Sequence, residues 1–231
     1  MTDVPRETGD VDGQIRQLRR GCTALGIKLD TQQAEMFSEY VEQILTWNQR
    51  INLISRREVK HIALHHLLDS LSLLSHTEIP LGAKVIDVGT GAGFPGLPIK
   101  ICRPDLKLTL VESVRKKVLF LKHVSESLKL PDVTILHERA EDLSRRPICQ
   151  NTYDVVVSRA VSRLRSLVVL CLPFLRPGGK FIAYKGGTIE EELQEVLPVL
   201  PALSGKFERG VEVELPISHK KRQHIIFTKV G

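Results

Sequence analysis

Apolar and polar positions follow one period in the first third of the chain and another after it. From Gln14 to Leu25, and again beyond a cap at Asp30 or Thr31, apolar residues recur every three or four positions. Met36, Tyr40, Ile44 and Trp47 make one line, with Phe37, Val41 and Leu45 beside it. The spacing predicts two helices, the first closed by Gly26, the second with a wide stripe that needs a core to cover it. From Ala83 short β-branched runs take over. They predict strands at Val85–Val88, Leu106–Glu112, Val133–Leu136, Tyr153–Ala160 and Lys180–Tyr184. Helices are expected from Leu97, along Val114, Val118, Leu121 and Leu128, from Leu164 to Leu175 with a stop at Pro177-Gly178-Gly179, and near Ile189–Leu197. Lys206–Leu215 and Gln223–Lys229 fit a closing antiparallel hairpin. The alternation predicts an α/β, doubly wound, mostly parallel sheet behind a helical extension.

Polar residues stand where the predicted strands stop: Asp87, Glu112, Glu141, Arg159 and Lys185 fall at or just after strand ends. In a parallel sheet those ends form one edge, where ligands bind. The first strand runs into Gly89-Thr90-Gly91-Ala92-Gly93-Phe94-Pro95-Gly96, a glycine turn that lets a ligand approach the backbone. Asp87 precedes it. A carboxylate there would repel a pyrophosphate, whereas a cofactor with a sulfonium and a free amino group tolerates it, which tilts the reading from NAD toward S-adenosylmethionine. Glu112 lies about twenty residues past the glycines, the spacing at which an acid binds ribose hydroxyls. Arg139–Asp142 follows the third strand, where an adenine would lie beside a loop.

Between the helices and the sheet the pattern is less regular. Asn48 and Asn52, four apart, either cap the second helix or line a site. Arg56-Arg57 and Lys60-His61 follow. His66 and Asp69 share a helical face, which is either solvated or delivered to the mouth of the cofactor site. Among the 231 residues, 42% are hydrophobic and 26% charged, a globular composition. The net charge of +6 suits a polyanionic partner. The longest apolar run, Leu167–Leu175, is too short for a bilayer. Residues 1–12 read as a loose polar tail rather than a signal peptide. Cys22, Cys102, Cys149 and Cys171 form no C-x-x-C pair, so reduced thiols and no metal site are expected, in a soluble cytoplasmic protein.

The chain resembles the RsmG (GidB) family of bacterial 16S ribosomal RNA methyltransferases. The resemblance rests on Trp47-Asn48 with Ile51-Asn52-Leu53, on His66-Leu67-Leu68-Asp69-Ser70-Leu71, on Asp87 through Gly96, on Ser158-Arg159-Ala160 and on Lys185-Gly186. It implies a class I, Rossmann-like methyltransferase fold, with seven strands and an antiparallel terminal strand, over residues 81–231, and a helical extension over 13–80. It also implies S-adenosylmethionine as donor and N7 methylation of a guanosine in small-subunit rRNA near the decoding centre. By motif, Asp87, Gly89, Gly91, Gly93 and Phe94 face the cofactor, Glu112 and Ser113 its ribose, Ala140 and Glu141 its adenine, and Arg159 closes the site. Asn48, His66, Arg159 and Lys185 are the candidate catalytic positions, and Arg56, Arg57, Arg159, Arg163 and Lys185 the candidate RNA contacts. Guanine N7 already offers a lone pair, so in-line transfer needs positioning rather than a general base. The expected partner is 16S rRNA, in a small subunit or an assembly intermediate, met by a monomer. The competing readings are an NAD-dependent oxidoreductase, a methyltransferase acting on protein or on a small molecule, and a non-catalytic assembly factor that retains this fold.

Overall fold

The computed structural model describes residues 10–159, 162–187 and 189–231. Most of the predicted tail, and Ala160 of the Ser158-Arg159-Ala160 motif, lie outside the described residues. Helix α1 (Val11–Ala24) starts earlier than the apolar pattern suggests, because the Asp10 carboxylate accepts the Gly13 N–H at 2.8 Å and caps the chain there. Helix α2 (Thr31–Asn48) opens on a reciprocal capping box between Asp30 and Gln33. Its stripe of Phe37, Tyr40, Val41 and Ile44 is fully buried. A π-helical turn over Ala63–Leu68 then leads into the short helix α3 (Asp69–Leu71).

The sheet has seven strands in the order β3-β2-β1-β4-β5-β7-β6. Strands β1 (Lys84–Val88), β2 (Lys107–Glu112), β3 (Val133–His137), β4 (Tyr153–Ser158) and β5 (Leu175–Lys185) are parallel. Strand β7 (Lys221–Lys229) inserts antiparallel between β5 and β6 (Gly205–Glu214). Alternate side chains feed two cores, as a sheet covered on both faces requires. Val85, Val155, Val157 and Ile182 pack with α2 and with α5 (Arg115–Ser127). Ile86, Val88, Val156, Phe181 and Phe227 pack with α7 (Leu164–Cys171). Helices α4 (Gly96–Cys102), α6 (Ala140–Leu143) and α8 (Glu190–Val196) complete the crossovers.

One element differs from its sequence pattern. The helix expected over Leu164–Leu175 is α-helical to Cys171 and continues as a 3-10 turn over Leu172–Phe174, but Pro177-Gly178-Gly179, expected to stop it, lies inside β5. The pairing of β4 with β5 shifts register between Tyr153 and Val155, and Gly178 has φ +77. Proline and glycine are tolerated in a strand where the ladder is interrupted in this way. Among the described residues no helix is long and apolar enough to cross a membrane.

Candidate active site

The parallel order brings Asp87, Glu112, Glu141, Arg159 and Lys185 to one edge of the sheet. At its centre is the glycine turn. Gly91 has φ +63, and a Cβ there would point into open space, so the backbone is bare on that side. Gly93, with φ +98, is required for another reason: a Cβ would lie 2.6 Å from Tyr40 Oη and 2.5 Å from Leu97 Cδ1. Tyr40 donates from α2 to the Ala92 carbonyl at 2.5 Å, tying the helical extension to the turn.

Asp87 has a structural task of its own. Its Oδ2 accepts from Thr90 Oγ1 at 2.6 Å and from the Gly96 N–H at 2.8 Å, which holds the turn closed. Its Oδ1 is buried with no partner among the described residues. Burial pushes this carboxyl up to about 6, with Thr90 and Gly96 pulling it partly back. Glu112, at the end of β2, accepts from the Gly91 N–H at 3.0 Å through Oε2 and from the Val114 N–H at 2.8 Å through Oε1. A cavity of about 220 Å³ opens beside these groups, lined by Gly89, Glu112, Ser113, Ala140 and Glu141. Asp87, Gly91, Gly93 and Phe94 shape the turn and do not line it. Ser158, Ser162, Leu167 and Leu170 also line it and were missed. Ser162 follows a predicted strand end and could have been found by extending that rule; Leu167 and Leu170 read simply as helix core. An open glycine turn, a strand-end acid with lone pairs to spare and an orphaned buried carboxylate oxygen together fit a nucleoside cofactor carrying positive charge.

A second cavity, of about 500 Å³, is lined by Arg159, the residue that follows Ser158 of the first cavity's lining. Arg159 Nη1 donates to Asp69 Oδ2 at 3.0 Å and to the His65 carbonyl at 3.3 Å, while Nη2 donates to His66 Nδ1 at 2.8 Å. Its guanidinium carbon lies 4.9 Å from the centre of the Phe94 ring, on which His66 also stacks at 5.0 Å. Burial, then the Arg159 charge, lowers His66 to about 3, so this imidazole is neutral at physiological pH. The π-helical turn and α3 carry His66 and Asp69 to this second cavity, and neither lines the first, the cofactor site at whose mouth one alternative put them. π-Turns recur at such functional positions. Arg222, from β7, donates through Nε to Asp69 Oδ1 at 3.1 Å. Glu58, His65, Tyr184 and Lys220 complete the wall with Lys185 and Gly186. Glu58 was missed, although it is the sole acid between Arg56 and His66.

Of the remaining candidates only Lys185 lines this cavity. Asn48 Oδ1 accepts from the N–H groups of Leu53 and Ile54, at 2.8 and 3.0 Å. It therefore caps the chain leaving α2 and lines a separate cavity with Asn52 and Arg56. Arg56 and Arg57 are exposed at the tip of a turn closed by the Glu58 N–H on the Ser55 carbonyl, at 3.0 Å. Lys185 lines the second cavity, but its ammonium is held by Glu192 at 2.9 Å and by the Ser162 carbonyl at 3.1 Å. Arg163 is exposed and pairs with Glu195 at 3.3 Å.

The fold resembles that of solved methyltransferases. A SAM-dependent methyltransferase from Aquifex aeolicus matches with a TM-score of 0.54 over 70% of this chain and 90% of that one, at 21% identity, a likeness of fold. The fold is thus that of a class I methyltransferase. The chain belongs to the GidB family, rRNA small subunit methyltransferase G, which matches residues 33–226. It is 41% identical to the Ribosomal RNA small subunit methyltransferase G of Lachnoclostridium phytofermentans over 91% of this chain and 87% of that protein. It is 38% identical to the Bacillus subtilis protein of the same name, over 94% and 90% respectively.

Proposed function

We propose that the protein transfers a methyl group from S-adenosylmethionine to N7 of one guanosine in 16S ribosomal RNA, in a loop near the decoding centre. The observation that carries this reading is a pair of cavities lined by the consecutive residues Ser158 and Arg159, one fitted to a nucleoside and the other wide, polar and rich in cations. The donor supplies an electrophilic methyl carbon when bound. Glu112 receives the ribose hydroxyls on the lone pairs that Gly91 and Val114 leave, and Ala140 and Glu141 flank the adenine. Gly89, Gly91 and Ser113 give the backbone access, Gly93 lets the turn pack against Tyr40, and Asp87 Oδ1 supplies negative charge. Arg159 holds His66 and Asp69 in place beside the target base. His66, with Nδ1 occupied and its pKa far below neutrality, is a poor base, which suits a reaction that removes no proton before attack. The work left to the protein is orientation and exclusion of water.

Arg56, Arg57 and Arg163 supply exposed charge for RNA phosphates, and Lys185 holds the loop after β4. Asn48 acts through the loop that presents Arg56. Residues 13–80 serve as a helical extension to a methyltransferase domain over 81–231. The protein works as a cytoplasmic monomer on small subunits or their assembly intermediates. The test is methyl transfer from labelled S-adenosylmethionine into undermodified small subunits, read by nucleoside mass spectrometry. Label in 7-methylguanosine is the expected result. Cofactor binding without label in any RNA nucleoside would move the acceptor to a protein or small molecule, and absence of cofactor binding would favour a non-catalytic assembly factor.

A further inference from the structure

One edge of the second cavity carries donors and acceptors in a fixed order that the mechanism above does not use. Because His66 Nδ1 accepts from Arg159, the ring proton sits on Nε2. That atom is buried and without a partner among the described residues. It stands 3.6 Å from Glu58 Oε2, too far for a hydrogen bond. Glu58 Oε2 receives His65 Nδ1 at 2.7 Å and keeps a further lone pair, and Oε1 is engaged by none of the described residues. The other carboxylate of the cavity is already spent: Asp69 is clamped between Arg159 and Arg222 and only 4% exposed, against 31% for Glu58. Along this wall the order is donor, acceptor, acceptor.

Guanine presents the complement on its pairing edge: the acceptor O6, then the donors N1–H and N2–H. Adenine reverses the first two. Enzymes that act on an extruded base commonly read it along this edge. A purine held there keeps N7, on its other edge, free to react. Resting on the guanosine reading above, we propose that His66 and Glu58 select the target base, His66 Nε2–H donating to O6 and the Glu58 carboxylate accepting N1–H and N2–H. Burial and the facing charges of Arg159, His65, Arg222 and Lys220 keep His66 neutral, so it remains a single-proton donor at neutral pH. The cavity volume lies in the range of small-ligand sites.

The experiment uses small subunits reconstituted with guanosine or inosine at the target position. Inosine keeps N7, O6 and N1–H and lacks only the N2 amino group. The wild-type protein is expected to use inosine with kcat/KM lower by about tenfold to a hundredfold, the usual discrimination of a bidentate base contact. Glu58→Gln is expected to lose a similar factor on guanosine and much less on inosine, so that the preference shrinks toward unity, while calorimetry shows unchanged S-adenosylmethionine affinity. Equal losses on both substrates would make Glu58 a prop for the histidines and overturn the proposal. Equal use of both by the wild type would overturn it without any variant. Absence of 7-methylguanosine from the guanosine subunits would instead overturn the underlying function, and this assignment with it.

Discussion

Arg159 divides its guanidinium between a carboxylate, a carbonyl and an imidazole, and packs its face on Phe94. An ammonium keeps the charge but cannot fork in this way. Arg159→Lys is therefore expected to slow methyl transfer by about a hundredfold through misplacement alone, with a far smaller change in cofactor Kd. Single-turnover rates beside calorimetry check this, and equal losses in both would make Arg159 a cofactor ligand. The histidines carry a second expectation. Burial first, then Arg159 for His66 and His76 for His224, lowers both to about 3, below the ordinary value of 6.5. Between those values the unfolded chain binds protons that the folded chain refuses. Their stabilisation is therefore complete above about pH 6.5 and is lost as pH falls toward 3. Asp87, raised from 3.8 to about 6, acts in the opposite sense, its protonated form being favoured by folding. Two groups oppose one, so Tm is expected to be lower at pH 5 than at pH 7. A Tm higher at pH 5 than at pH 7 would mean that the histidines titrate normally and Asp87 alone sets the trend.

At the scale of elements, the glycine turn is where backbone and packing requirements separate. Gly91→Ala places a methyl in open space at φ +63, a strain of about 1–2 kcal/mol, on the bare side of the turn where the proposed cofactor would approach. Gly93→Ala drives a methyl into Leu97 and Tyr40 and breaks the link from α2 to the turn. The expected outcome is a weakened cofactor Kd with a small change in Tm for the first, and a larger fall in Tm for the second. Thermal unfolding with calorimetry distinguishes them, and the reverse ranking would contradict this geometry. Asn48 shows why one predicted role did not converge with the rest. An asparagine at a helix end satisfies free N–H groups or a ligand, and the choice depended on how the following chain turned back over it. Likewise Pro177-Gly178-Gly179 marks a helix stop or a strand irregularity, and only the register against β4 decided between them.

Across the whole molecule, charge is expected to govern encounter with RNA. The excess of +6 is spread over many sites, but Arg163 and Lys185 are paired with α8, whereas Arg56 and Arg57 project together from an exposed turn. The double variant Arg56→Glu with Arg57→Glu is expected to weaken small-subunit binding and to make its log-log salt dependence shallower by about 2, one for each lost phosphate contact. The transfer rate at saturation should hardly change. Filter binding from low to moderate salt tests the slope, and an unaltered slope would move the RNA path elsewhere on the surface.

By itself the sequence determined the alternation of strands and helices, the glycine turn, and the placing of Asp87, Glu112 and Arg159 at strand ends. Each depends on periodicity or turn stereochemistry within a few neighbouring residues. Only the tertiary structure decided that β7 would insert beside β5, that Arg159 would meet Asp69 across 90 residues of chain, and that Glu58 would stand next to His66. Those outcomes depend on which segments the sheet brings together and on which of several partners wins each buried hydrogen bond, and no local pattern records that competition.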